Sequence, residues 1–233
     1  SVLCDITNTF ASLITLRQLV TQENLKHVVS FHSSIPRSKE FQLLNEQLNK
    51  FSSEFGTVHA LQISGNDSSG VRTKVLSQFK SQEPSVITNA RCLTEGVDIP
   101  AIDAVLFADP KKSTIDIVQA AGRAMRRSKG KEYGYIIVPI IVDEDEEGSI
   151  HKDSFKQIIN VISAMGMNDD RIIAEFQAMV FKQPRESNIC DFDFESVSES
   201  INLKDFYLNL QLKVWDRLSF AKSFIDETTF ATW

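Results

Sequence analysis

Between Gln119 and Arg127 the chain reads QAAGRAMRR, in which small residues separate a glutamine from three arginines. On a helix Arg123 and Arg126 stand at i and i+3, so they share a face and can reach one phosphate through charge-assisted hydrogen bonds. Gln119, one turn earlier, falls near that face and can orient a water. Arginines placed this way act on a transferring γ-phosphoryl group, an effect worth roughly 10³ to 10⁵ in rate. Taken alone, the same stretch also reads as the solvated basic end of a helix.

A second stretch, TNARCLTEGVDIP (88–100), follows the strand-like SVIT and contains Gly96, Asp98 and Pro100. Gly96 allows a positive φ or a close backbone approach, and Asp98 can accept hydrogen bonds from a ribose hydroxyl or hold the loop itself. By itself, G-x-D-x-P is also an ordinary structural turn. No GxxxxGK[ST] occurs, so the chain has no P-loop on which to cradle a triphosphate. No Ser-His-Asp or Cys-His constellation can be placed either. If the chain takes part in chemistry, it contributes half a site.

These loops need a framework, and the pattern of apolar runs supplies one. HVVSF (27–31), VHALQI (58–63), SVIT (85–88), AVLFA (104–108) and GYIIVPII (134–141) are apolar enough for strands buried on both faces, the mark of a parallel sheet. Between them, RSKEFQLLNEQLNKF carries Phe41, Leu44 and Leu48 at helical spacing, and GVRTKVLSQF carries Val71, Val75, Leu76 and Phe79. KKSTIDIVQAAGRAMRR is the helix that bears the arginines, with Ser113 and Asp116 making a capping-box-like start. The alternation predicts an α/β fold, an open and mainly parallel sheet with right-handed crossovers and flanking helices. Ligands of such sheets sit beyond the carboxyl ends of the strands.

An amphipathic stretch at 6–24 precedes the first strand and is expected to pack on the sheet's flank. After the last strand comes the acidic DEDEEGS, a solvated loop at a domain edge, and the boundary is set at 145/146. Beyond it, FKQIINVISAMGM and RIIAEFQAMVF carry apolar stripes that form core, giving a helical pair joined at GMNDD. Gly166 can end the first helix there, and Asn168 or Asp169 can cap the second. Residues 201–225 read as helical again, so 146–233 forms a helical extension.

Composition bounds the partners. The 233 residues are 42% hydrophobic and 24% charged, as in an ordinary globular protein, and the net charge of -6 argues against whole-surface attraction to nucleic acid. A local basic groove can coexist with that total. Cys4, Cys92 and Cys190 are odd in number and far apart, as reduced thiols of an intracellular, cytoplasmic protein would be. His27, His32, His59 and His151 show no metal-ligand spacing, and no metal site is expected. The longest apolar run, YIIVPIIV, is too short for a membrane span and contains a proline. A start at Ser1 rather than Met, with no secretion signal, fits a piece excised from a longer chain.

Taken together, the motifs resemble the second RecA-like domain of superfamily 2 helicases and translocases. CLTEGVDIP is similar to motif V and QAAGRAMR to motif VI. VVSFHSSIPRSKEF is similar to motif IV, and ISGNDSSGVRTKVLSQFK resembles the segment in which an arginine and a phenylalanine precede the motif V strand. The likeness covers roughly 25–142 in the right order. EGVDIP and GRAMR resemble the DNA-directed branch, excision-repair helicases and restriction motors, more than DEAD-box RNA helicases. Those carry His-Arg-x-Gly-Arg-x-x-Arg, whereas Ala120 stands here at the first arginine's position. Ala90 and Arg91 stand at the motif V Thr-Asp positions.

The resemblance implies that Gly96 and Asp98 line the nucleotide edge, with Asp98 near the ribose. It implies that Arg123 and Arg126 approach the γ-phosphate of ATP, with its Mg2+, held mainly by a first RecA-like domain of the same protein. Gln119 would face the water or catalytic carboxylate. Ser33, Ser34, Thr88 and Asn89, at strand ends, would touch the nucleic-acid backbone without reading sequence, and Arg37 either joins them or stays solvated. The implied partner is DNA, with RNA as the alternative. A non-catalytic interaction module that kept the fold is the rival from another class. VWDRLSFAKSF is similar to the opening of helicase-associated repeats, or is an amphipathic helix on the motor domain.

Overall fold

A computed structural model describes residues 2–51, 56–89, 102–109, 114–124, 131–140, 156–167, 169–185, 189–193, 206, 208, 210 and 211. Two compact units emerge, Ser1–Pro139 and Ile140–Trp233. The sequence-based boundary at 145/146 lies outside the described residues.

The first unit is a parallel sheet of β1 (His27–Phe31), β2 (His59–Ile63), β3 (Ser85–Asn89), β4 (Ala104–Phe107) and β5 (Tyr135–Ile137), in the order β2-β3-β1-β4-β5. Its helices are α1 (Val2–Gln22), α2 (Ile35–Phe51), α3 (Ser69–Ser81) and α4 (Thr114–Ala124). The order explains the layers. The crossover through α2 runs two strands to one side of β1, while those through α3 and α4 run one strand the other way. Right-handed crossovers in opposite directions put their helices on opposite faces.

The pleat sorts the core accordingly. Val28, Val86, Ala104 and Leu106 join Leu13, Leu16 and Val20 of α1 and Phe41 of α2 in one buried cluster. The alternate residues Val29, Phe31, Ile87, Val105 and Phe107 are also buried and, by the period of two, belong to the other face. There α3 packs on β2 and β3, and α4 on β4 and β5. Phe79, Ile117, Ala120 and Ala121 are among the buried residues those helices supply.

The helices depart from the sequence reading at their ends for local reasons. α1 closes on Asn24, whose φ of 51° lies in the left-handed region, and Leu25 N donates to Val20 O at 3.1 Å, a Schellman-type end. α2 starts two residues before the expected Arg37. Its cap is Ser34, whose hydroxyl accepts from Arg37 N at 3.4 Å, and Pro36 is tolerated in a first turn that needs no donor. β5 ends at Ile137 instead of 141, since Pro139 has no N–H for the ladder.

Arg17 of α1 is fully buried beneath this framework. Its Nη1 donates to Gly56 O at 2.5 Å, and Nη2 reaches Asn45 O (3.0 Å), Asn45 Oδ1 (2.6 Å) and Asn49 Oδ1 (2.6 Å). Burial lowers its pKa, yet the neutral acceptors hold the cation in place. Both asparagine amides continue to Val58 O, at 2.7 and 2.9 Å, so the network fixes the entry to β2.

In the second unit α5 (Lys156–Gly166) and α6 (Asp170–Val180) pack through Ile158, Ile159, Ile162, Phe176 and Val180, with Phe206 and Leu210. Asp169 is the N-cap of α6, its carboxylate accepting from Arg171 N at 3.2 Å. Asn168, the other expected cap, lies outside the described residues. Gly166 does end α5, though without a positive φ. A Cβ there would meet Ile173 Cγ1 at 2.3 Å, so the glycine is required by helix-helix contact and not by a left-handed cap.

Candidate functional site

The strands finish in step. In the parallel register Ile63 lies opposite Asn89, Asn89 opposite Phe31, and Phe31 opposite Phe107. The loops that follow therefore share the carboxyl edge of the sheet. The chain leaves β1 toward β2 and leaves β4 toward β5, which makes the β1/β4 boundary a topological switch point, where ligands of open α/β sheets bind.

Two residues past the end of each of these strands stand Ser33 and Asp109. Asp109 Oδ2 accepts from Ser33 N at 2.9 Å and from Ser33 Oγ at 3.0 Å. Its Oδ1 accepts from Arg37 Nη2 at 2.9 Å and Nε at 3.3 Å, a two-pronged guanidinium contact. Arg37 Nη1 also donates to Glu40 at 2.9 Å. Burial pushes the Asp109 carboxyl up, but the hydrogen bonds from Arg37 and Ser33 and the Arg37 charge outweigh it and hold the group below its ordinary range.

His32 sits behind this knot. Its Nε2 lies 2.9 Å from Ser30 Oγ, its Nδ1 lies 3.9 Å from Asp109 Oδ2, and its ring meets Phe41 edge-on at 4.9 Å. The order Ser-His-Asp invites comparison with a nucleophilic triad. The geometry excludes one. Ser30 is fully buried and 3.9 Å exceeds a hydrogen bond, so the set is internal wiring.

Asp109, His32 and Ser30 escaped the sequence reading. The signal for Asp109 was present: a lone acid between a fully apolar strand and a proline in VLFADP. Its partners, about 75 residues earlier in the chain, were not visible.

Of the expected nucleic-acid contacts, Ser33 is exposed but its amide and hydroxyl already serve Asp109. Ser34 is half-buried and caps α2. Thr88 is fully buried, and its hydroxyl has no hydrogen-bond partner among the described residues. It therefore does not present that hydroxyl at the surface of this unit, because its place in the register, between Ser30 and Gln62, is inside the sheet. Asn89 ends β3 on the carboxyl edge. Arg37 is neither solvated nor free, being held by two carboxylates.

Of the expected nucleotide residues, Gln119 lies on α4 and is exposed, whereas Ile117, Ala120 and Ala121 face the core. Gly122 lies in the same helix, and a Cβ there would meet nothing within 4 Å. Arg123 follows Gln119 by four residues in α4. Gly96, Asp98 and Arg126, and the capping Ser113, lie outside the described residues. Among the described residues no cluster of His, Cys, Asp or Glu could hold a metal ion, and no helix is long and apolar enough to cross a membrane.

Residues 11–128 match the family model of the helicase conserved C-terminal domain. The chain belongs to this family. Its curated relatives are themselves named helicases. "Probable helicase A859L" of African swine fever virus (isolate Pig/Kenya/KEN-50/1950) is 32% identical over 99 residues, covering 42% of this chain and 11% of the viral protein. The ATP-dependent RNA helicase DBP4 of Gibberella zeae is 25% identical over 146 residues, 62% of this chain and 18% of that protein.

Among solved structures, the ATP-dependent Type ISP restriction-modification enzyme LlaBIII bound to DNA matches with a TM-score of 0.59 and 28% identity, over 82% of this chain and 13% of that one. The five-stranded parallel sheet with helices on both faces is thus a RecA-like helicase C-terminal domain. The matched segments span only 11% and 18% of the two relatives' own lengths.

Proposed function

We propose that the chain is the second motor domain of an ATP-dependent, DNA-directed helicase or translocase. Residues 1–145 form the motor domain and 146–233 an extension. The observation that carries the DNA assignment is the match, over 82% of this chain, to a restriction-modification enzyme solved on DNA. GRAMR and EGVDIP agree with it, as does the buried Ala120, which stands at the position of the first arginine in the DEAD-box motif. A reading as an RNA motor rests on the likeness to DBP4.

The half-site fits a nucleotide approached from outside. Gln119 is exposed, and Gly122, which costs the helix roughly 1 kcal/mol against alanine, has no neighbour among the described residues to explain it. ATP with Mg2+ supplies the transferable phosphoryl group. Arg123 and Arg126 would meet its γ-phosphate when two motor domains close, Gln119 would orient the attacking water, and Gly96 and Asp98 would line the ribose edge. Ser34 and Asn89, with the loop at Ser33, would hold the nucleic-acid backbone by polar contacts that carry no sequence information. Lacking a P-loop, the chain alone should not turn over ATP.

The test compares ATP hydrolysis by the full-length protein with single-stranded DNA, duplex DNA and RNA at one salt concentration. Stimulation by DNA well above that by RNA is expected. Preference for RNA would move the protein to the other branch, and no stimulation by any of them would favour a non-catalytic module.

A further inference from the structure

We propose that Asp109 is a positioning residue for the nucleic-acid-contacting loop at the β1/β4 switch point. The proposal rests on the motor reading above and goes beyond it by naming what holds that loop. Phe31 and Phe107 are register partners, and the residues two positions further on each strand's exit, Ser33 and Asp109, are joined directly. One carboxylate takes the amide and hydroxyl of Ser33 and both a Nε and a Nη2 donor of Arg37. Arg37 lies in the first turn of α2, whose cap is Ser34. Everything from His32 to Arg37 is therefore tied to the end of β4, ahead of the helix that bears Gln119 and Arg123.

The physical benefit is preorganisation. Ordering a loop during binding costs conformational entropy for each residue fixed, and that cost comes off the affinity. A backbone contact made by short hydroxyls and amides cannot reach to compensate for a displaced loop, as a lysine could. Asp109 is 9% exposed at its side chain and already saturated with donors, so it does not itself face a phosphate. Arg37, 18% exposed, has its charge matched by Asp109 and Glu40. The two side chains form a brace, which acts through the loop that it steadies.

A double-mutant cycle on the full-length protein separates a brace from a direct phosphate ligand. ATP hydrolysis is titrated with a single-stranded DNA oligonucleotide for the parent, Asp109→Ala, Arg37→Gln and the double variant. Members of one brace fail together. All three variants should raise the half-saturating oligonucleotide concentration by a similar factor, about five- to twentyfold, with kcat at saturation within about twofold. If Arg37 contacts phosphate directly, Asp109→Ala releases it and tightens binding, and that result overturns the proposal, as do half-saturating values unchanged in all variants. Should Asp109→Ala fail to fold, Arg37→Gln with the milder Asp109→Asn carries the same expectation. A parent that DNA does not stimulate overturns the motor reading and this inference with it. A stimulated parent with insensitive variants overturns this inference alone.

Discussion

Asp109 accepts two hydrogen bonds from Ser33, a residue 76 positions earlier, at 2.9 and 3.0 Å, and so joins the exits of two adjacent strands. Its folded pKa is depressed, so its stabilising contribution is present above the unfolded carboxylate value of about 3.9 and is lost as pH falls through the folded pKa. Asp109→Asn does not titrate. The variant should be less stable than the parent by about 1–3 kcal/mol at neutral pH. The gap should stay constant down to about pH 5 and narrow below about pH 4. Urea unfolding midpoints at pH 7, 5, 4 and 3 check this, and a gap that widens on acidification contradicts it.

Arg17 tests the buried network. Replacing it with methionine takes the donor from the buried Asn45 Oδ1, and removes the guanidinium that also ties Asn45 O, Asn49 Oδ1 and Gly56 O together. A loss of about 3–5 kcal/mol is expected by chemical denaturation. Arg17→Lys should recover little, because a single ammonium cannot span acceptors that the guanidinium fork reaches from two nitrogens.

Gly166 faces a different constraint. Its backbone would accept alanine, but the new Cβ would overlap Ile173 Cγ1 and Cδ1, at 2.3 and 2.4 Å. Gly166→Ala should cost about 1–3 kcal/mol through overpacking. In an Ile173→Ala background the same change should be neutral or stabilising, since alanine is favoured over glycine in a helix by about 1 kcal/mol. Thermal unfolding of the four proteins gives the coupling, and additive effects would rule the clash out.

Where local pattern decides structure, the sequence was sufficient. β1 and α6 follow apolar runs to within a residue, and Asp169 caps α6 as its position suggested. Where distant partners decide, the residue types misled. Arg37 read as a backbone contact or a solvated group because Asp109, which holds it, is far away in the chain. Thr88 read as a loop hydroxyl because neither its neighbours in the sheet nor its burial can be seen one strand at a time. Gly166 ends α5 as its position suggested, but the contact with Ile173 that excludes a Cβ there belongs to the helix pair and is invisible in one helix alone. For the residues proposed to face phosphate, the reading rests on the order of motifs along the chain, a property of the sequence that lone stretches do not carry.

The central claim is that an arginine of this chain completes an ATP site in a larger motor. The direct measurement is DNA-stimulated ATP turnover by full-length protein carrying Arg126→Ala, with oligonucleotide affinity measured in parallel. A fall in kcat of about 10³ or more, with DNA affinity nearly unchanged, is the predicted result. Turnover within a few-fold of the parent would contradict the assignment.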